Sequence, residues 1–343
     1  MKEMWRWTQS ERVPGLALLL VLVLASFGGC AGSTPIESLA TEDPPLEPDG
    51  GSSVGLDAGE LPEGAGDGSL DGRGAGADAA ARPASYLVLW DTPMRSEARA
   101  DAATVRSVLR GSIVAPADAN AAATGGYLKV KFLTKTGWMP TSRLVGVALG
   151  TKMREVALAH PKAFFKRQVF HSVWNPTGPS TSGNCAPTSL AIAVKALGKE
   201  PPDLDVEESI DRVRKLMGKA SDSGGATLDQ VRTGVEKLGL KYVAMAKGGL
   251  EAQLGKGRLV VLVGTPGDGG GGSSTAYQKA FATAGYAYTF DGRHSILVLA
   301  LRASGKYLVA DPLSKLGPLE LTRSQLQDFY ARWGGEGTSI WAE

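Results

Sequence analysis

The chain has 343 residues, 43% of them hydrophobic, so it is long enough for more than one domain and for substantial cores. Its formal net charge is only +2, and no cluster of Lys and Arg is interleaved with aromatic residues, which argues against a nucleic-acid-binding protein. Two cysteines and three histidines are too few at ligand spacing for a metal site. We therefore expect no nucleic-acid partner, no metal and no cofactor.

The first 30 residues are typical of an export signal. Basic residues precede the apolar run GLALLLVLVLASF, which is too short for a comfortable membrane span. The run ends in FGGC, which resembles the lipobox of bacterial lipoproteins. That resemblance implies lipidation of Cys30 and an anchor in the cell envelope, with the outer membrane as the expected site. The alternative is an ordinary secretory signal in which Cys30 is incidental.

Residues 31–85 are rich in Gly, Pro, Ala and acidic residues and contain almost no aromatic residues. Such a segment cannot bury enough apolar surface to offset the entropy lost on ordering. We expect it to be a disordered linker between the signal and the folded part of the chain.

Short strand-like segments follow over residues 86–148. SYLVLW, TVRSVLR, SIVAPA, YLKVKFL and GWMPTSRL alternate or cluster apolar residues and are separated by turn residues. Evenly spaced short strands predict a small all-β barrel. The arrangement resembles bacterial SH3-like domains, with GGYLKVKFLTKTGWMPTSRLV similar to their closing hairpin. Domains of that class often recognise cell-wall peptides, although many only pack against a catalytic partner.

From Phe164 onward the sequence is typical of a mixed α/β domain. Apolar spacing predicts helices over 187–197, 206–217 and 227–238, and a last helix in RSQLQDFYARW. Strands are predicted in KYVAMA, RLVVLVG, HSILVLALRA and KYLVAD. The Gly-rich segment 265–278 lacks the end of a nucleotide-binding loop, and we expect a mobile loop there.

Cys185 lies just before a predicted helix, in the segment GNCAPTSLAIAV. Pro187 suits the first turn of a helix, because its missing N–H would have no intrahelical partner. At a helix N-terminus a thiolate is stabilised by the helix dipole and by free backbone N–H groups. Those N–H groups can also bind the oxyanion of a tetrahedral intermediate. The alternative is a buried structural thiol.

His294 is the best-placed general base among the three histidines. It begins a predicted strand, whereas His160 precedes a proline in a connector and His171 lies in a loop-like stretch. A tight turn joins that strand to KYLVADP, which brings Asp311 towards His294. An aspartate there would orient the imidazole as in a Cys-His-Asp triad. The alternative for His294 is a hydrogen-bonded histidine of the core.

These motifs together resemble the bacterial C39-like group of papain-like cysteine peptidases over about residues 165–342, and we expect the domain itself to span residues 160–343. The resemblance implies an α+β papain-like domain with Cys185 as nucleophile, His294 as base and Asp311 as orienting residue. Two positions depart from the family pattern, since Ala186 and Arg293 stand where glycine is usual.

The oxyanion side chain is less clearly marked in the sequence. Papain-like folds usually have a Gln about six residues before the nucleophile, and Pro179 occupies that position here. Gln168 is the expected donor, with Asn175 as the rival.

We therefore predict a multidomain exported protein in which a small SH3-like barrel precedes a papain-like cysteine peptidase domain. Its substrate would be an envelope polypeptide or a stem peptide of peptidoglycan, and its membrane contact would be the N-terminal lipid. One alternative is a non-catalytic, cell-wall-binding lipoprotein with a papain-like scaffold. Another is a transglutaminase or acyltransferase that uses the same triad.

Overall fold

The computed structural model describes residues 83–118, 122–168, 183–219, 224–267, 274–288 and 290–343. The predicted signal, Cys30, Asn175 and nearly all of the predicted linker lie outside these residues. The chain divides into two compact units. The β unit contains the described part of Gly32–Phe165 together with Val194–Asp205, and the α/β unit contains Lys166–Ala193 and Val206–Glu343.

The β unit contains a seven-stranded antiparallel sheet in the order β3-β2-β6-β5-β4-β1-β7. Two short helices follow the last strand of this sheet. The elements are β1 (Ser85–Val88), β2 (Thr92–Arg95), β3 (Thr104–Val108), β4 (Ile113–Pro116), β5 (Tyr127–Phe132), β6 (Lys135–Pro140), β7 (Leu144–Val147), α1 (Met153–Ala159) and α2 (Pro161–Phe164).

Strand β5 shows why this sheet has one buried face. Leu128, Val130 and Phe132 are buried, whereas Lys129 and Lys131 between them are exposed, as the two-residue period of a strand requires. Each of the five predicted strand segments overlaps a strand, and β2 and β7 complete the sheet. Membership of the SH3-like class stays a prediction.

The segment Val194–Asp205 belongs to the β unit, and polar contacts join it to the turn between β3 and β4. Lys195 Nζ donates to the carbonyl of Arg110 at 2.6 Å, and Ser112 Oγ donates to the carbonyl of Pro202 at 3.3 Å. The chain passes from one unit to the other after Phe165, inside helix 185–196 at Val194, and again after Asp205.

The α/β unit is built on a six-stranded antiparallel sheet in the order β12-β11-β10-β9-β13-β8. Its strands are β8 (Lys241–Met245), β9 (Leu259–Gly264), β10 (His294–Leu301), β11 (Tyr307–Ala310), β12 (Leu319–Leu321) and β13 (Gly337–Trp341). Its helices are α3 (Cys185–Ala196), α4 (Val206–Leu216), α5 (Leu228–Lys237), α6 (Leu250–Gly255), α7 (Ala276–Thr283) and α8 (Arg323–Tyr330).

Burial in this unit centres on two strands and one helix. All six residues of β9 are buried, and so are seven of the eight residues of β10. Helix α3 is apolar on nearly every side, and only Lys195 of its twelve residues is partly exposed. A helix that is apolar all round is stable only inside a core. The fold therefore places the start of α3 in the interior.

Three helices of the α/β unit begin with the same neutral capping box. In each, a threonine side chain accepts from the backbone N–H of a glutamine three residues later, and that glutamine side chain accepts from the threonine N–H. The pairs are Thr227 with Gln230 (α5), Thr275 with Gln278 (α7) and Thr322 with Gln325 (α8).

The predicted helices over 187–197, 206–217 and 227–238 correspond to α3, α4 and α5, and the four predicted strands correspond to β8 to β11. The loop predicted over 265–278 is partly wrong, because α7 begins at Ala276. Thr275 and Gln278 form a Thr-x-x-Gln capping signal for this helix, but the glycines and serines just before it favoured a loop. Strands β12 and β13 were also not predicted, being short segments next to glycine or proline.

Candidate active site

Cys185 is the first residue of α3, and its side chain is buried. The carbonyl of the preceding residue, Asn184, accepts the first helical hydrogen bond from Thr188 N at 2.9 Å. The first backbone N–H groups of an α-helix have no intrahelical acceptor and point towards its N-terminal end, which is where Cys185 lies. Such an end stabilises negative charge, either on the sulfur or on an oxygen beside it.

A buried arginine from α4 fixes the turn that precedes Cys185. Arg214 is fully buried, and its Nη1 donates to Gly183 O at 2.6 Å and to Asn184 Oδ1 at 3.0 Å. Gly183 has φ +90°, a left-handed conformation that favours glycine. Sequence reasoning missed Arg214, although it lies four residues after the buried Ile210 and three before the buried Met217. That spacing predicts the inner face of the helix.

His294 and Asp311 come together through the pairing of β10 with β11. Ala310 pairs with Leu297, so the next residue, Asp311, lies diagonally across from His294 on the same side of the sheet. His294 Nε2 is 2.8 Å from Asp311 Oδ1, and both residues are at most 1% exposed. This bond leaves Nδ1 as the ring nitrogen available to another partner.

The side chain of Cys185 hydrogen-bonds to the side chain of His294. A second contact holds the helix against the strand, because Ser189 Oγ donates to the carbonyl of Ser295 at 3.1 Å. The structure thus brings together Cys185, His294 and Asp311 from a helix start, a strand start and a strand end.

Two tyrosine hydroxyls complete the surroundings of Asp311. Tyr277 on α7 donates to Oδ2 at 2.5 Å, and Tyr288, from the segment after α7, donates to the same oxygen. The backbone N–H of Leu313 donates to Oδ1 at 2.9 Å. Neither tyrosine was predicted from the sequence, because aromatic residues at these positions are as typical of a core as of a site.

His294 and Asp311 each stabilise the charged form of the other. Burial lowers the pKa of His294, but the charge of Asp311 and hydrogen bonds to Asp311 and Cys185 outweigh it and raise this pKa to about 10. Burial also opposes ionisation of Asp311, yet His294, Tyr277 and Tyr288 hold its pKa below the ordinary value. At neutral pH, therefore, Asp311 is ionised and His294 is protonated. An imidazolium next to Cys185 favours a thiolate.

Gln168 lies beside the Asp-Pro turn and not on a helix. Its backbone N–H donates to the carbonyl of Pro312 at 2.7 Å, and its side chain is buried. Its role as an oxyanion donor stays a prediction. The rival donor, Asn175, lies outside the described residues, as does Pro179.

The two departures from the family pattern are both accommodated. Ala186 lies within α3 and has no positive φ, so its methyl group causes no backbone strain. The Arg293 guanidinium lies 4.7 Å from the ring centroid of Trp333, whose Nε1 donates to Thr265 Oγ1 at 2.5 Å. An arginine before His294 thus has its own aromatic partner.

Other histidines and acidic residues do not build a second centre in the part of the chain that the structure describes. There, no group of three or more His, Cys, Asp or Glu side chains is arranged to hold a metal ion. His160 lies between α1 and α2 in the β unit, and His171 lies outside the described residues. The described helices also include none that is long and apolar enough to cross a membrane.

Comparisons with known proteins give only weak similarities. Neither a protein-family model nor a curated protein matches the chain. Among solved structures, the peptidase domain of Streptococcus ComA, a bifunctional ABC transporter involved in a quorum sensing pathway, is 16% identical, with a TM-score of 0.31. The match covers 47% of this chain and 92% of that one.

Two further structures show the same level of similarity. A protein described as a C39-like peptidase from Bacillus anthracis is 13% identical, with 52% of this chain and 94% of that one covered and a TM-score of 0.33. A double glycine motif protease from an AMS/PCAT transporter, in complex with the leader peptide, is 14% identical, with 46% and 85% covered and a TM-score of 0.29. Similarities at this level carry no argument about function, which depends on the geometry of the site.

Proposed function

We propose that this protein is a cysteine peptidase in which Cys185 is the nucleophile, His294 the general acid and base, and Asp311 the residue that orients the imidazole. The observation that carries the proposal is the buried contact of 2.8 Å between His294 Nε2 and Asp311 Oδ1, with Cys185 hydrogen-bonded to His294 at a helix start. A histidine held by a carboxylate, next to a nucleophile, is the arrangement that acyl transfer requires.

The proton path follows from that geometry. Because His294 is protonated at neutral pH, Cys185 is present as a thiolate, and this thiolate adds to the carbonyl carbon of the scissile peptide bond. The negative charge that develops on the carbonyl oxygen is bound by backbone N–H groups at the start of α3 and by the side chain of Gln168 or Asn175. His294 then gives its proton to the leaving amine as the C–N bond breaks, which leaves a thioester on Cys185.

Hydrolysis of the thioester reverses these roles. His294 accepts a proton from water as the water oxygen adds to the thioester carbonyl, and the C–S bond breaks to release a carboxylic acid. The sulfur leaves as a thiolate and the proton stays on His294, so the enzyme returns to its starting state without a cofactor. Throughout, Asp311 holds the second ring nitrogen of His294 and stabilises the imidazolium.

The wider proposal concerns architecture, location and substrate. We infer a papain-like, C39-like fold for the α/β unit and an SH3-like fold for the β unit. The motif at Cys30 supports export and lipid anchoring in the cell envelope, with secretion as the alternative. The substrate is an envelope polypeptide or a peptidoglycan stem peptide. GNCAP lacks the DCSG pattern of the common cell-wall endopeptidases, which favours the polypeptide.

Labelling of the thiol tests the proposal directly. The full chain is treated at neutral pH with an epoxysuccinyl thiol-protease inhibitor, and the label is located by mass spectrometry. Tryptic cleavage places Cys185 in the peptide of residues 168–195, which does not contain Cys30. We expect one label per chain in that peptide, none in the Cys185→Ala variant, and unchanged labelling of Cys185 in a Cys30→Ser variant.

The same preparations distinguish the competing functions. Cleavage of a peptide library, of purified peptidoglycan, or of both by wild type and not by Cys185→Ala supports the peptidase. No labelling of wild type and no cleavage would establish the non-catalytic scaffold instead. Incorporation of an added amine, in place of hydrolysis, would establish the transglutaminase or acyltransferase.

A further inference from the structure

The carboxylate of Asp311 has a complete set of hydrogen-bond donors. Oδ1 accepts from His294 Nε2 and from Leu313 N, and Oδ2 accepts from the hydroxyls of Tyr277 and Tyr288. A carboxylate has about four lone-pair positions, so all of them are used. Orienting His294 requires only one of these bonds, which leaves the two tyrosines without a role in the mechanism above.

We propose that Tyr277 and Tyr288 are positioning residues that keep Asp311 ionised and aimed at His294 under acidic conditions, in which a carboxyl buried this deeply would otherwise take up a proton. This inference rests on the proposed function, because it concerns the same triad. It extends that function by assigning two further residues and the acid limit of the working pH range.

Packing holds both rings in place independently of the carboxylate. The ring of Tyr277 is fully buried, with centroids 4.9 Å from Phe281 and 4.8 Å from Phe329. The half-buried ring of Tyr288 meets Tyr277 and Phe281 edge to face, at 5.8 and 5.5 Å. Two hydroxyls fixed in this way are donors prepared for a negative charge, because they need no reorganisation when that charge is present.

The tyrosines are donors over the whole working range. Burial first, and then the charge of Asp311, raise the pKa of both Tyr277 and Tyr288 well above the ordinary value, so neither hydroxyl ionises near neutral pH. Other charged or titratable groups also surround Asp311. His294 contacts it directly and hydrogen-bonds in turn to Cys185. The charge of Asp311 also acts on Tyr286, on which the charge of Arg167 acts as well.

Tyr286 provides a matched control in the same segment. Its ring packs edge to face on Tyr288 at 5.3 Å and on Phe281 at 6.5 Å. Its hydroxyl is not among the donors to Asp311 in the described structure, although burial and the charge of Asp311 raise its pKa to about 12. Removing this hydroxyl deletes the same chemical group without deleting a bond to the carboxylate.

The test measures how the reactivity of Cys185 depends on pH. The full-length wild type and the variants Tyr277→Phe, Tyr288→Phe, the double variant and Tyr286→Phe react with iodoacetamide between about pH 4 and pH 9. Alkylation is read on the tryptic peptide of residues 168–195, and thermal unfolding checks that each variant is folded.

Removing a donor from Asp311 raises the pKa of this carboxyl, so the thiolate is lost at a higher pH as the solution is acidified. We expect the acid midpoint of alkylation to move up by about one pH unit in each single variant and further in the double variant. In Tyr286→Phe, the midpoint stays at the wild-type value. Peptide hydrolysis by the same variants should show the same shifts.

Two results would overturn the positioning role: an unchanged acid midpoint in both single variants, even with slower reaction at every pH, or an equal shift in Tyr286→Phe. Failure of the proposed function gives a different pattern. If the alkylation midpoints shift as expected but the wild type cleaves no peptide bond, the positioning role is supported and the peptidase is not.

Discussion

Replacing Arg214 with methionine removes the side chain that fixes the turn before Cys185. Methionine is a shorter, unbranched apolar side chain, and it donates no hydrogen bond. The carbonyl of Gly183 and the side-chain oxygen of Asn184 therefore lose donors now at 2.6 and 3.0 Å. At roughly 1.5–3 kcal/mol for each hydrogen bond to a charged group, the gross loss is about 3–6 kcal/mol.

The net loss is smaller, because the variant no longer buries a charged guanidinium. We expect the free energy of unfolding to fall by roughly 2–4 kcal/mol in Arg214→Met, measured by urea denaturation. Alkylation of Cys185 should slow as well, since its turn is no longer held. Arg214→Lys keeps the positive charge but not the planar guanidinium. We expect its free energy of unfolding to lie between those of Arg214→Met and the wild type.

Arg212→Met is the matched control, because Arg212 lies on the same helix but is only partly buried. We expect that variant to remain within about 0.5 kcal/mol of the wild type. If Arg214→Met unfolds at the same urea concentration as Arg212→Met and its thiol reacts at the wild-type rate, the guanidinium does not hold this turn.

Three further predictions concern the triad and its supports. Asp311→Ala should lower kcat/KM about 10⁴-fold in a peptidase assay, because no side chain then orients His294 or stabilises the imidazolium. A wild-type value would exclude the triad. Gly183→Ala should cost roughly 1–2 kcal/mol in a urea titration, because φ is +90°, and no cost would mean that the turn adapts. The Asp311–His294 pair should stabilise the fold fully between the ordinary pKa values of 3.8 and 6.5. Below pH 3.8 this contribution is lost as Asp311 becomes protonated, because the pKa of Asp311 is lower in the folded state than in the unfolded chain. Above pH 6.5 the contribution declines until about pH 10, because the pKa of His294 is higher in the folded state. In His294→Ala, the midpoint of thermal unfolding should not fall as pH rises towards 10. If it falls as in the wild type, other groups cause the loss of stability at high pH.

The reacting residues were accessible to sequence reasoning because each carries a local signal. Cys185 precedes a proline and an apolar helix, His294 begins an apolar strand, and Asp311 ends the strand that pairs with it. Hairpin partners separated by a short turn are neighbours in almost any fold. The contact between His294 and Asp311 therefore follows from chain order and strand pairing.

The supporting residues were not accessible in the same way. Arg214 acts across 30 residues of chain, and Tyr277 reaches Asp311 across 34. Helical spacing places Arg214 on the inner face of α4, and Tyr277 is as typical of a core as of a site. Neither signal shows which group the side chain contacts, because that depends on how α4 and α7 pack against the rest of the unit.

Element prediction succeeded and failed for similar physical reasons. Long apolar patterns such as LVVLVG and SILVLAL predicted β9 and β10, which lie in the middle of their sheet. Strands β12 and β13 have only three and five residues, and their pairing with a preformed sheet decides their conformation more than their composition does.

The identical Thr-x-x-Gln caps of α5, α7 and α8 have a consequence for measurements in acid. Glutamine has no proton to gain, so these helix starts keep the same hydrogen bonds at pH 4 and at pH 8, whereas a glutamate in that place would weaken its cap on protonation. Helix α7 carries Tyr277, and at its start the carboxylate of Asp328 accepts a hydrogen bond from Ala276 N. Acidification therefore leaves the capping boxes of the scaffold intact while it changes the carboxylate of Asp311.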